Sequence, residues 1–210
     1  MKKIFLDIET DFRKKMINIA WCSEKKSDEG KEFWVYQREQ DLVYPKDADP
    51  KYISILGIWR EKVANNKTTP LKVILAELIE DSKDAIVCGW NIRNFDVPII
   101  NNACKRHLEK EWNPMIFDGF RFIQDRIKKT PMTFKNLMAI NGPTKSGKFP
   151  SLTAESMFKY TTGWKFAVET HVALSDAQQE RVIIKEMAKT FKFSVDKMAT
   201  LFNHQPELGF

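Results

Sequence analysis

Phe5-Leu6-Asp7-Ile8-Glu9-Thr10 is the stretch on which the reading of this chain turns. The apolar residues Ile4, Phe5 and Leu6 run without polar alternation into two acids separated by one residue. Such a run predicts a strand buried on both faces, over residues 3–8. Side chains two apart on a strand share a face, so Asp7 and Glu9 project together from its end. An isolated Asp-x-Glu is ordinarily a solvated pair, but one that closes a buried strand has less water to turn to.

Two further motifs carry acids in comparable settings. Asn91-Ile92-Arg93-Asn94-Phe95-Asp96-Val97-Pro98 follows the short apolar strand expected at 85–89. Asn94 reads as an N-cap, with Asp96 in the first helical turn and Pro98 just inside the helix, where proline is tolerated. The same residues are also good helix-start chemistry with no further role, since an acid there gains from the helix dipole. In His171-Val172-Ala173-Leu174-Ser175-Asp176-Ala177, Ser175 and Gln178 have the spacing of a capping box. Asp176 then falls in the first turn and His171 on the loop before it. His107 and His204 have no such neighbours and are read as non-catalytic.

Between these motifs the pattern alternates. Strands are expected at 16–22 and 32–36, joined by a turn over 25–31, and at 115–117, ending at Asp118. Helices are expected at 70–83, 95–109, 119–128, 133–139, 153–161, 175–192 and 194–202. Residues 52–56, inside the unassigned stretch 44–66, fit helix and strand equally. The result is a mixed α/β sheet covered by helices, in one domain over 1–210 with its core at 3–190 and a short helical tail at 192–210.

With 210 residues, 43% of them hydrophobic, the chain is long enough for a substantial core. A net charge of +6 and a pI near 9.1 coexist with the acidic motifs, so basic residues dominate elsewhere. That balance suits a polyanionic ligand and equally an ordinary lysine-rich surface. Cys22, Cys88 and Cys104 lie far apart without paired-ligand spacing, which fits a reducing cytoplasm. No apolar run reaches membrane-spanning length, and Met1-Lys2-Lys3 leads straight into the first strand rather than into a signal peptide.

Four carboxylates repel one another unless cations lie between them, and hard oxygen ligands without cysteine favour Mg2+ or Mn2+. In order and spacing the three motifs together resemble the DEDDh family of 3′–5′ exonucleases, which includes proofreading subunits of replicative polymerases, ribonuclease T and oligoribonuclease. The resemblance runs from Ile4 to Met187, with Ala154-Glu155-Ser156-Met157-Phe158-Lys159-Tyr160 as the helix before the histidine loop and Asp118 as a structural acid. It implies a ribonuclease H-like fold with a mixed five-stranded sheet flanked by helices. It also implies two Mg2+ or Mn2+ ions held by Asp7, Glu9, Asp96 and Asp176, with Asp7 bridging them and His171 as general base. The substrate implied is the 3′ end of single-stranded nucleic acid, DNA favoured, cut to nucleoside 5′-monophosphates, with Ile8, Thr10, Phe12, Asn91 and Phe95 as its contacts. Thr10-Asp11-Phe12-Arg13 departs from the small residues usual after the first motif, and Asp11 has no account in the sequence. An RNA-trimming exoribonuclease, and a non-catalytic nucleic-acid-binding module, remain alternatives. Neither a homodimer nor a polymerase partner is specified.

Gly142-Pro143-Thr144-Lys145-Ser146-Gly147-Lys148 imitates a phosphate-binding loop but continues with Phe149 where a magnesium-binding Ser or Thr belongs. Pro150 opposes the helix start that such a loop needs. The expectation is a basic loop whose Lys145 and Lys148 touch substrate phosphates.

Overall fold

In the computed structural model, the opening run forms β1 (Lys2–Thr10), followed by β2 (Met16–Ser23), β3 (Lys31–Val35), β4 (Thr68–Thr69), β5 (Ala85–Gly89) and β6 (Met115–Asp118). They make one six-stranded sheet in the order β4-β3-β2-β1-β5-β6. The β1–β2 and β2–β3 pairs are antiparallel; β1–β5, β5–β6 and β3–β4 are parallel. The five expected strands are all present. The sixth is a two-residue edge at Thr68–Thr69, too short to leave a periodic signal.

Among the described residues, the helices with defined bounds are α1 (Leu71–Ser82), α2 (Asp96–Leu108), α3 (Gly119–Lys129), α4 (Pro131–Asn141), α5 (Ala154–Thr162), α6 (Ala173–Thr190) and α7 (Val195–His204). The structure describes residues 1–11, 14–25, 27, 29–35, 55, 57, 59–61, 64, 67–163 and 171–204, apart from the side chains of Phe202 and His204. Phe12 and most of 44–66 therefore lie outside the described residues. Within the latter, Ile55 and Trp59 are buried against Ile17 and Trp34.

Alternation along β1 divides the interior in two. Ile4, Leu6 and Ile8 belong to a cluster with Ile74, Leu75 and Leu78 of α1 and Ile100 of α2. Phe5 turns the other way, into a cluster with Phe122, Ile183, Ile184 and Met187 from α3 and α6. The pleat therefore sends Asp7 and Glu9 toward the α6 side of the sheet. The tail helix joins this second core through Val195 and Ala199. Asn203 on α7 also bonds the β6 edge, its Nδ2 donating to the Ile116 carbonyl at 2.9 Å. Among the described residues, no helix is long and apolar enough to cross a membrane.

Two local features follow from single residues. Gly30 holds φ +87°, and a Cβ there would meet the Leu174 Cδ1 at 2.7 Å and the Trp21 carbonyl at 2.9 Å, so only glycine fits between β2 and α6. Asp11, unexplained in the sequence, is buried in the β1–β2 turn, where its Oδ1 accepts the Lys15 amide at 2.8 Å. Its role is to close that turn.

Candidate active site

The ladder between β1 and β5 ends at the Phe5–Cys88 pair, because β5 stops at Gly89 while β1 continues to Thr10. Beyond that point the Ile8 amide has no strand partner on this side. Asp96 supplies one: its Oδ1 accepts the Ile8 N–H at 3.2 Å. Asp96 is the first residue of α2 and is 4% exposed. The expected Asn94 cap is absent; Phe95 occupies the cap position, and Asn94 instead donates to Asn91 Oδ1 at 3.1 Å. Asp118 anchors this loop, accepting the amides of Asn91 at 3.2 Å and of Arg93 and Arg121 at 3.1 Å.

The expected capping box at Ser175 is also absent. Helix α6 begins two residues earlier, at Ala173, because Asn18 on β2 reaches across to cap it. Asn18 Oδ1 accepts the Ala173 amide at 2.7 Å, while its Nδ2 donates to the Phe33 carbonyl at 3.0 Å. Gln178 donates to the Glu29 carbonyl instead of returning to the helix start. Asp176 still falls in the first turn. His171 adopts a left-handed conformation, φ 53°, with its carbonyl accepting the Trp59 indole N–H at 2.7 Å.

Three of the expected carboxylates converge. Asp7, Glu9 and Asp176 each present an oxygen within 4.8 Å of those of the other two. Asp7 is half-buried as a residue, yet its Oδ2 is sealed from solvent without a hydrogen-bond partner among the described residues. His171 faces this group, its Nδ1 lying 3.9 Å from Glu9 Oε1. The opposite ring nitrogen, Nε2, is buried and likewise lacks a partner among the described residues. Asp96 stands outside the close trio but lines the same cavity as Asp7 and Glu9.

A fifth acid, Glu180, escaped the sequence reading. It lies one helical turn after Asp176 on α6, is 6% exposed, and accepts the Trp90 amide through Oε2 at 3.1 Å. The i, i+4 spacing was its one signal, shared with many solvated helical acids. Burial, then Glu180 and Asp96, hold the Asp7 carboxyl well above the usual aspartate range. Burial likewise raises Asp96 to about 8 and pushes Glu180 well upward, with Asp96 the next cause for Glu180. A site this crowded with acids binds cations or retains protons.

The cavity holds about 900 Å³. Ile8, Asn91 and Phe95 line it, whereas Thr10 is half-buried outside its lining. Lys145 and Lys148 are exposed on the 142–150 loop without lining the cavity. That loop is closed on itself, with the Thr144 amide donating to the Phe149 carbonyl at 2.7 Å, and no helix follows until Ala154. The phosphate-loop resemblance ends there.

No family model and no curated protein matches the sequence. Solved structures do resemble the fold. E. coli exonuclease I in complex with a dT13 oligonucleotide superposes with a TM-score of 0.65 at 18% identity, covering 98% of this chain and 44% of that one. The zinc-bound E. coli exonuclease I complex with single-stranded DNA gives 0.62 at 16%, covering 97% and 43%. The moderately thermophilic exonuclease I of Methylocaldum szegediense gives 0.56 at 19%, covering 90% and 40%. The chain thus has the α/β fold found in these exonucleases and spans less than half of their length.

Proposed function

We propose that the chain is a DEDDh-type 3′–5′ exonuclease that hydrolyses single-stranded nucleic acid, DNA by preference, to nucleoside 5′-monophosphates. The observation that carries this reading is the meeting of Asp7, Glu9 and Asp176 within 4.8 Å, beside a histidine and around a sealed carboxylate oxygen with no partner among the described residues. Hard oxygen donors with no sulfur among them fit Mg2+ or Mn2+. The unpartnered Asp7 Oδ2 is the kind of atom that such a cation satisfies. The fold shared with exonuclease I, seen with a dT13 oligonucleotide and in a zinc-bound single-stranded DNA complex, supports the assignment.

In this reading Asp7, Glu9 and Asp176 would hold one ion, and Asp7 with Asp96 would hold a second. Such ions, when bound, would supply charge compensation at the attacking and leaving oxygens and would lower the pKa of a bound water. His171 would take that water's proton as general base, with Glu9 Oε1, 3.9 Å from its Nδ1, stabilising the imidazolium that results. Ile8 and Phe95 pack against the terminal nucleotide, with Asn91 and Thr10 as polar contacts. Residues 3–190 form the catalytic core.

The test is incubation of end-labelled single-stranded DNA and RNA with Mg2+ or Mn2+, alongside copies blocked at the 3′ end. Mononucleotide release abolished by the block supports the proposal. Internal cuts would indicate an endonuclease, and absence of any metal-dependent turnover would leave a binding module.

A further inference from the structure

The cavity that holds the carboxylates has a second chemistry in its wall. Phe120 and Ile127 from α3, Phe134 from α4, and Phe149 with Leu152 from the segment before α5 line it opposite in character to the acids. The aromatic members are organised. Phe134 and Phe149 meet edge to face with centroids 6.4 Å apart, and Phe120 contacts Trp90 in the same manner at 6.1 Å. Phe149 is 56% exposed while its ring lines the cavity. It is held there by the closed 142–150 loop, whose Gly142 and Gly147 take positive φ and whose Ser151 amide donates to the Gly142 carbonyl at 2.9 Å. Lys145 and Lys148 stand exposed on that same loop, and Lys128 on the cavity lining.

An apolar aromatic surface continuous with an anionic, cation-binding cluster, and edged by lysines, matches a ligand that repeats flat aromatic groups and phosphates. Single-stranded nucleic acid has that composition, and stacking on a ring tolerates any base. At about 900 Å³ the cavity lies near the top of the ~300–1,000 Å³ range of ligand pockets, roomy for more than a terminal nucleotide.

We infer that Phe149, braced by Phe134, is a stacking platform for a base of the bound single strand, and that the 142–150 loop exists to present it. This rests on the nuclease reading for the identity of the strand, but binding can be measured without turnover. The probe is a short fluorescent oligonucleotide, DNA and RNA in parallel, titrated by anisotropy with Ca2+ replacing Mg2+. Phe149→Ala should weaken binding by about 5- to 160-fold, the range for loss of one stacked base, and raise KM while leaving kcat nearly unchanged. Phe149→Trp should bind as wild type or tighter. A series of oligonucleotides each lacking one base should contain a position whose abasic penalty disappears in Phe149→Ala.

Unchanged Kd and KM in Phe149→Ala, or abasic penalties additive with it at every position, would overturn the platform while leaving nuclease activity in place. If the wild type hydrolyses nothing yet binds the strand through Phe149, the nuclease reading fails and the platform stands.

Discussion

Asp96 Oδ1 accepts the Ile8 amide at 3.2 Å, so one acid of the second motif is bonded to the backbone of the first, 88 residues away. The bond replaces the ladder contact that β5 no longer offers and fixes the mouth of the cleft where the two parallel strands separate. Asp96→Asn keeps an acceptor there and removes a charge; Asp96→Ala leaves the Ile8 N–H buried and unpaired. In EDTA, urea unfolding should find the Ala variant about 1–3 kcal/mol less stable than the Asn variant. Equal stabilities would show that the bond contributes nothing to the fold. Both variants should lose at least about 100-fold in metal-dependent turnover, since neither carries the anion.

His171→Ala should lower kcat by about 100-fold or more while oligonucleotide binding in Ca2+ persists. Its ring stands beside the acid group, with Nδ1 3.9 Å from Glu9 Oε1. Asp7→Ala should remove metal-supported hydrolysis altogether, because the Asp7 oxygen is common to both proposed ion sites. Turnover surviving either change would remove the role assigned to that residue.

The crowded acids make the metal-free protein pH-sensitive in a defined direction. Asp96 rises from 3.8 in the unfolded chain to about 8 in the fold, and Asp7 and Glu180 shift the same way. Between those values the native state holds protons that the unfolded state has released, so stability falls as pH rises. The loss is at most about 1.4 kcal/mol per pH unit for each such group. Melting in EDTA should therefore give a lower Tm at about pH 8 than at about pH 5, and Mn2+ should restore more at the higher pH. A metal-free Tm that climbs over this interval would contradict the electrostatic account.

Glu180→Gln isolates the fifth acid. The amide oxygen still accepts the Trp90 N–H, so the change is mainly one of charge. Expected are a higher Tm in EDTA and Mn2+ affinity weakened by about 10- to 100-fold, the usual effect of altering a group that supports metal ligands. Isothermal titration with Mn2+ reads the affinity, and an unchanged value would mean that Glu180 does not sense the ions.

What the sequence disclosed and what it withheld divide along contact distance. The uninterrupted Ile4-Phe5-Leu6 run and the following Asp-x-Glu specify a buried central strand and a shared carboxylate face, because both depend on the two-residue pleat alone. Asp96 and Asp176 were placed in first helical turns by local signals that held even though the caps did not. Those caps failed for a physical reason: Asn18 lies 155 residues from Ala173 in sequence, and nothing near Ser175 reveals that β2 supplies the acceptor. Glu180 resembles any exposed helical acid until α6 is laid on the sheet. Asp11 has no account in the sequence because its partner, the Lys15 amide across the turn, is set by the fold.

The Asn18 cap offers a final test of how the fold sets the histidine. Asn18 is fully buried and spans from the Phe33 carbonyl to the Ala173 amide, two residues after His171. Asn18→Ala removes the acceptor of the Ala173 amide, which should cost about 1–3 kcal/mol. Because the start of α6 carries Asp176 and adjoins His171, the same change should depress kcat more than it raises KM. Asn18→Asp restores the acceptor for Ala173 and should recover part of the turnover. A lowered Tm accompanied by full kcat would show that the cap secures the helix without positioning the chemistry.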